Sequence, residues 1–312
     1  MSKPDRRKNV TTVEFQGRLG NLFFEYAAGL TVQKMRGGRL QFMDWLTPST
    51  SEFLAYLDPT GLDGLAHNFR GFRNFVRRRL VDKVRWRITR LLRRSTRRVL
   101  VATGLVGWFA QSQPFSPLPH DLSVFEKRNV RLFGHFQHPT WFEPSLDVVT
   151  EKIWAGLSGH VQHLIGTAAT VISVRLDDYV PFGWDLRPDY YERAIDALGR
   201  IAGPIWITSD DPDAANSMLE PILRQRNLVA SPAPDLGLSP AMRDFGLWSV
   251  ARNVITSNST FCWWGTVTGQ LQGNQPPKTV ICPARWLPSG TDSEALLRAD
   301  WIHLDASFSR DS

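Results

Sequence analysis

Two strings in this chain have the residue types of anion-binding turns: Gly17-Arg18-Leu19-Gly20-Asn21, and Ser257-Asn258-Ser259-Thr260-Phe261-Cys262-Trp263-Trp264-Gly265. Each follows an apolar run that reads as a buried strand, residues 11–15 in the first case and 253–256 in the second. A strand that runs into glycines or small hydroxyl residues, and then into a helix, leaves backbone N–H groups pointing outward, where they can hold an anion. Two such places suggest two halves around one cleft.

The elements that must position these strings alternate regularly in the second half. Strands are predicted at 170–174, 204–208, 254–256 and 279–282, with helices at 189–198, 213–224, 242–251 and 263–271. That is the rhythm of a parallel sheet with crossover helices. Each strand meets a polar or turn cluster at its carboxyl end: Arg175 to Tyr179, Ser209-Asp210-Asp211, Ser257 to Thr260, and Pro283. Ligands of open α/β sheets bind at such strand ends, so the clusters are expected to line one site. The first half is less regular, with a strand and glycine loop at its start and a second signal over 130–141. The segment 143–166, helical in pattern, is the expected crossing between halves, giving domains 1–155 and 156–312.

Composition narrows the class. The 312 residues are 42% hydrophobic and 21% charged, as in a globular protein with real cores. The start is polar and basic and does not read as a secretory signal, and the longest apolar run, 99–110, is too short to span a bilayer as a helix. The expectation is a cytoplasmic protein with Cys262 and Cys282 as free thiols; Cys/His spacing offers no zinc site. The formal charge of +7 is concentrated, because residues 70–98 hold 13 of the 37 Lys and Arg against one acid, Asp82. The remainder carries 24 bases against 29 acids. Apolar residues recur at helical spacing within the basic segment, which predicts an amphipathic helical insertion over 70–110. The basic face lacks interleaved aromatics and the rest of the chain is acidic, which argues against nucleic-acid binding. A peripheral contact with an anionic membrane surface is the alternative to plain packing.

Taken in order, these residues resemble the α-1,2-fucosyltransferases, glycosyltransferase family 11. That family opens with Gly-Arg-Leu-Gly-Asn followed by aromatics, here Gly17 to Asn21 with Phe23, Phe24 and Tyr26. It continues with a Gly-Tyr/His-Phe-Gln element (Gly134-His135-Phe136-Gln137), a His-x-Arg-Arg-Gly-Asp-Tyr motif, a Ser-Asp-Asp after a strand, and the Asn-Ser-Thr-Phe-x-Trp-Trp-Gly string. The third motif diverges: Ser173 stands for the histidine, Leu176 for the second arginine and Asp177 for the glycine, while Arg175, Asp178 and Tyr179 match.

The resemblance implies two Rossmann-like α/β domains facing a cleft, the GT-B arrangement, and inverting transfer of fucose from GDP-fucose to a sugar hydroxyl of a bacterial surface glycan. It implies donor contacts from Gly17, Arg18, Gly20, Asn21, Ser173, Arg175, Asp210, Asp211, Asp244, Ser257, Asn258, Ser259 and Thr260. Arg175 would clamp the diphosphate, since a guanidinium binds two oxygens at once and offsets charge on the leaving group. Asp178, His135 and Glu25 are the candidate bases, Asp178 first. Asp210, Asp211 and Asp244 could equally cap helices. The Asp210-Asp211 pair is adjacent rather than spaced as a metal-holding pair, so neither metal nor cofactor is expected. The acceptor would be a glycan or lipid-linked oligosaccharide. The departures at Ser173 and Leu176 also admit another nucleotide-sugar donor, or a catalytically silent sugar- or nucleotide-binding protein.

Overall fold

The computed structural model describes residues 9–43, 106–111, 113–272, 278–289 and 293–311, which form two compact units, Met1–Leu146 and Asp147–Ser312. The division falls at 146/147 rather than at 155/156. The stretch read as a crossing is helical, and its main helix begins at the boundary.

In the first unit, β1 (Val10–Glu14) leads through a turn into α1 (Leu19–Arg36), followed by β2 (Arg39–Met43), β3 (Val106–Ala110), β4 (Asn129–Phe133) and the single turn α2 (Pro139–Phe142). All strand pairs are parallel, in the order β2-β1-β4-β3. Helix α1 buries Phe23, Phe24, Ala27, Ala28 and Val32, and Gly37, at φ +70°, ends it by donating to Gln33 O at 2.7 Å. Near that end the buried Arg36 guanidinium donates to Phe125 O at 2.9 Å, Val10 O at 3.0 Å, Thr11 Oγ1 at 2.9 Å and Lys127 O. It ties the sheet's amino-terminal edge to the chain entering β4. The predicted basic insertion lies almost wholly outside the described residues. Its last part corrects the expectation: residues 106–110 are strand β3, paired with β4. A short apolar run fits a buried strand as well as a helix, and periodicity cannot separate them.

The second unit runs α3 (Leu146–Val161), β5 (Thr170–Val174), α4 (Pro188–Leu198), β6 (Ile205–Ser209), α5 (Pro212–Arg224), α6 (Pro240–Val250), β7 (Asn253–Ile255), α7 (Thr260–Leu271), β8 (Thr279–Pro283) and β9 (Ile302–Leu304). Its five strands are parallel, in the order β6-β5-β7-β8-β9. The predicted strands and helices are present, and the edge strand β9 is added. Every residue of β5 is buried, as in a strand covered on both faces. The core on one side joins Ile172, Val174, Tyr190, Ile195, Leu219, Ile255 and Phe308.

Each sheet is thus a Rossmann-like parallel α/β layer, and in the second unit strand order reverses once, between β5 and β7. Crossovers diverge there and leave a crevice at the carboxyl ends of the strands.

Candidate functional site

Arg175 follows β5 directly and stands at the reversal point of the second sheet. Its Nη2 donates to Asp178 Oδ1 at 2.6 Å, and its Nε lies 3.1 Å from Asp210 Oδ2 in an ion pair. The Tyr179 ring packs under the guanidinium, 5.3 Å from its centre. Asp210 is itself held, accepting from Leu176 N–H at 2.9 Å. The arginine is 19% exposed. With Nε and Nη2 facing two carboxylates, the plane of the guanidinium is held in place. Donor atoms of Asp177, Asp178 and Asp210 all lie within 4.8 Å of one another, and two of these carboxylates already hold Arg175.

Beside Arg175, the chain leaves β7 and enters α7. The side chains of this string turn inward. Ser257 Oγ and Ser173 Oγ are 3.2 Å apart and buried, bridging the ends of β5 and β7. The Asn258 amide donates to Trp184 O at 2.9 Å and Trp286 O at 3.1 Å. Ser259 is the N-cap, accepting from Cys262 N–H at 3.5 Å. Within the string only Thr260 and Phe261 are partly exposed, and they open the first turn of α7, where the helix dipole favours an anion. The Ser173, Ser257 and Asn258 side chains, expected to touch the donor, are buried and paired with protein groups. Trp263 and Trp264 are core residues, and burial raises the Cys262 thiol to about 12.

Helix α6 flanks this site, because Gly265 lets α7 approach closely: a Cβ there would lie 2.9 Å from the Trp248 ring. Trp248 Nε1 donates to Thr208 Oγ1 at 2.9 Å, and Phe245 meets the Phe261 ring at 5.2 Å. Asp244 does not cap this helix, since Ser239 does, accepting from Met242 N–H at 3.3 Å. It lies buried against Arg243 at 2.9 Å, and burial raises its carboxyl to about 6 despite that pairing. Asp211, in contrast, is the N-cap of α5, accepting from Ala214 N–H at 3.1 Å. The string Asp211-Pro212-Asp213 has the spacing of a metal-holding pair, but it forms a helix start with Asp211 spent on the cap.

The other candidates gather beyond the carboxyl ends of the paired strands β1 and β4 in the first sheet. Gly17, at φ +86°, makes the turn after β1, and a Cβ would lie 2.7 Å from Asn21 Nδ2. Arg18 is exposed at the N-cap of α1, and Gly20 is buried in its first turn. Asn21 Oδ1 accepts from Gln137 Nε2 at 2.9 Å, linking the turns that follow β1 and β4. One turn further along α1, Glu25 is wholly buried; its Oε2 accepts from Gln16 N–H at 2.9 Å, and its Oε1 lies 3.5 Å from His135 Nδ1. Burial lowers the His135 pKa, which leaves the imidazole neutral at pH 7. Sequence reasoning missed the Gln137 link and the Tyr179 platform; both residues stood inside quoted motifs, which was the available signal.

No family profile matches this chain. The curated O-antigen biosynthesis glycosyltransferase WbnK of Escherichia coli is 29% identical to it over 143 residues, 43% of this chain and 44% of that protein. The match thus spans under half the length of that relative. Among solved structures, the chain is similar to the E. coli heptosyltransferase WaaC with ADP (TM-score 0.46, 10% identity, covering 96% of this chain and 93% of that one). It is also similar to the fucosyltransferase NodZ from Bradyrhizobium (TM-score 0.42, 14% identity, 83% and 92%).

Proposed function

We propose that the protein is an inverting glycosyltransferase of bacterial surface-glycan assembly that uses a nucleotide-diphosphate sugar, GDP-fucose by preference, and forms an α-1,2 linkage. The observation that carries this reading is Arg175, preoriented by Asp178, Asp210 and Tyr179 beside the N-terminus of α7 at the reversal point of the second sheet. A planar cation and a helix start side by side suit a diphosphate leaving group. The ordered motifs support the fucosyltransferase reading, and similarity to an O-antigen glycosyltransferase supports a surface glycan as acceptor. In this reading the second unit binds the nucleotide, with the Asp244 carboxylate accepting from the base, and the first unit binds the acceptor. Arg175 supplies the positive charge at the phosphates, so the mechanism runs without metal. A membrane-peripheral site of action on the cytoplasmic side, through the basic segment 70–98, belongs to the same proposal.

The test is a donor screen in which nucleotide release is followed with GDP-fucose, GDP-mannose and UDP-sugars against glycan acceptors. Transfer from GDP-fucose and thermal stabilisation by GDP over UDP are expected. Release from a UDP-sugar alone would assign another donor. No release together with no nucleotide stabilisation would remove the enzyme reading. EDTA should leave the rate unchanged, and a collapse reversed by manganese would instead place a cation among Asp177, Asp178 and Asp210.

A further inference from the structure

In the second unit, the loop between β5 and α4 holds apolar side chains out in solvent. Its 3-10 turn, Val180–Phe182, leaves Val180 54% and Phe182 59% exposed, with Trp184 half-buried beside them. Scattered exposed apolar residues need no explanation, whereas a contiguous set held out by the fold does. This loop is fastened at several points. Tyr179 Oη donates to Asn258 O at 3.2 Å, and the Asn258 amide donates to Trp184 O at 2.9 Å. Gly183 has φ +63°, and a Cβ there would lie 2.7 Å from Arg310 Cβ. Leu186 bridges to Phe308, Arg187 N–H donates to Ser307 O at 3.1 Å, and Ser309 N–H donates to Asp185 O at 3.2 Å. The exposure of Phe182 is thus set by its surroundings.

The rings run outward from Arg175 in contact. The guanidinium lies 5.3 Å from the Tyr179 ring centre, the Tyr179 and Trp184 centroids are 5.9 Å apart, and the Trp184 and Phe182 centroids are 5.0 Å apart with the planes tilted by 31°. Phe182 and Trp184 therefore share one shallow apolar surface, beginning one ring beyond the cation. Its side of the sheet is defined. The loop is tied to Asn258 and to residues 307–309, which follow β7 and β9, whereas Asp244 stands one helical turn before Trp248, whose indole bonds Thr208 of β6. In the order β6-β5-β7-β8-β9, Arg175 at the end of β5 separates the two.

We infer that Phe182 and Trp184 form the platform for the donor's sugar, packing against the C–H face of the hexose carried on the diphosphate. This inference rests on the nucleotide-sugar reading. Such a donor is linear, base then diphosphate then sugar, so a base at Asp244 and phosphates at Arg175 leave the hexose on the side of the rings. A pyranose presents a face of C–H groups, and covering it with an aromatic surface removes apolar area of both from water.

The experiment separates sugar from nucleotide. Wild type, Phe182→Ala and Phe182→Tyr are titrated calorimetrically with GDP and with GDP-fucose, without acceptor, and the melting temperature of each variant checks its fold. GDP should bind wild type and Phe182→Ala alike, within about threefold in Kd. The Kd for GDP-fucose should rise about tenfold in Phe182→Ala, the scale of a small apolar contact, and Phe182→Tyr, which keeps the ring, should restore most of that affinity. A loss for GDP as large as that for GDP-fucose would overturn the inference and place the rings under the base. Unchanged GDP-fucose affinity in Phe182→Ala would also overturn it, while GDP binding left the nucleotide reading standing. Should wild type bind neither ligand, the nucleotide-sugar reading fails and this inference with it.

Discussion

At the scale of single residues, the guanidinium and the buried carboxyl make the sharpest predictions. Arg175→Ala should lower turnover by about 10² to 10³, the scale of losing one transition-state donor, and Arg175→Lys should restore little, because a point charge cannot replace the planar fork. Steady-state kinetics with protein of unchanged melting temperature checks both, and near-normal turnover in Arg175→Ala would remove it from the site. Asp244 predicts a pH effect on stability. Its folded value of about 6 exceeds that of an exposed carboxyl, so its favourable contribution is full below the unfolded pKa near 3.8 and is lost as pH rises through 6. The shift corresponds to about 3 kcal/mol. The difference in unfolding free energy between wild type and Asp244→Asn should therefore slope across pH 4–7; a flat difference would contradict the burial. In Asp244→Asn, GDP should also bind more weakly while the fold is retained.

At the scale of elements, turns and helix starts fix the crevice floors. Asn258→Ala removes both donors that hold the carbonyls of Trp184 and Trp286, and each buried acceptor left unpaired costs about 1–3 kcal/mol. Chemical denaturation should show a loss of that order, with the aromatic stretch Tyr179 to Trp184 loosened first; an unchanged midpoint would deny Asn258 its structural role. In the first unit, Gly17→Ala meets both the +86° backbone and the Asn21 side chain, and should cost about 1–3 kcal/mol. Gly166, also at positive φ but with nothing within 4 Å of a Cβ, is the control that separates backbone strain from the added clash.

At the scale of the whole molecule, the 13 basic residues of 70–98 predict behaviour that the described residues do not address. Among those residues no helix is long and apolar enough to cross a membrane. If the basic segment holds the enzyme beside a lipid-linked acceptor, the protein should co-sediment with anionic but not neutral vesicles, less so as salt rises. Binding should vanish when Arg77, Arg78 and Arg79 are reversed in charge, each basic residue contributing about 1 kcal/mol. A protein that stays in the supernatant with anionic vesicles at low salt would end the membrane proposal. The sequence by itself determined β5 to β8 of the second unit, because mainly apolar runs alternate there with helices that start with Pro or hydroxyl caps. It also determined that Arg175, Asp210 and Ser257 to Thr260 follow the strands β5, β6 and β7. Only tertiary structure decided which of them face outward. The Ser173–Ser257 pair spans 84 positions and Glu25 meets His135 across two separate elements, so their directions depend on packing that no local pattern encodes. Likewise β3 and β9 were misread or missed, because a five-residue apolar run and a three-residue edge acquire strand character only from the neighbour they pair with.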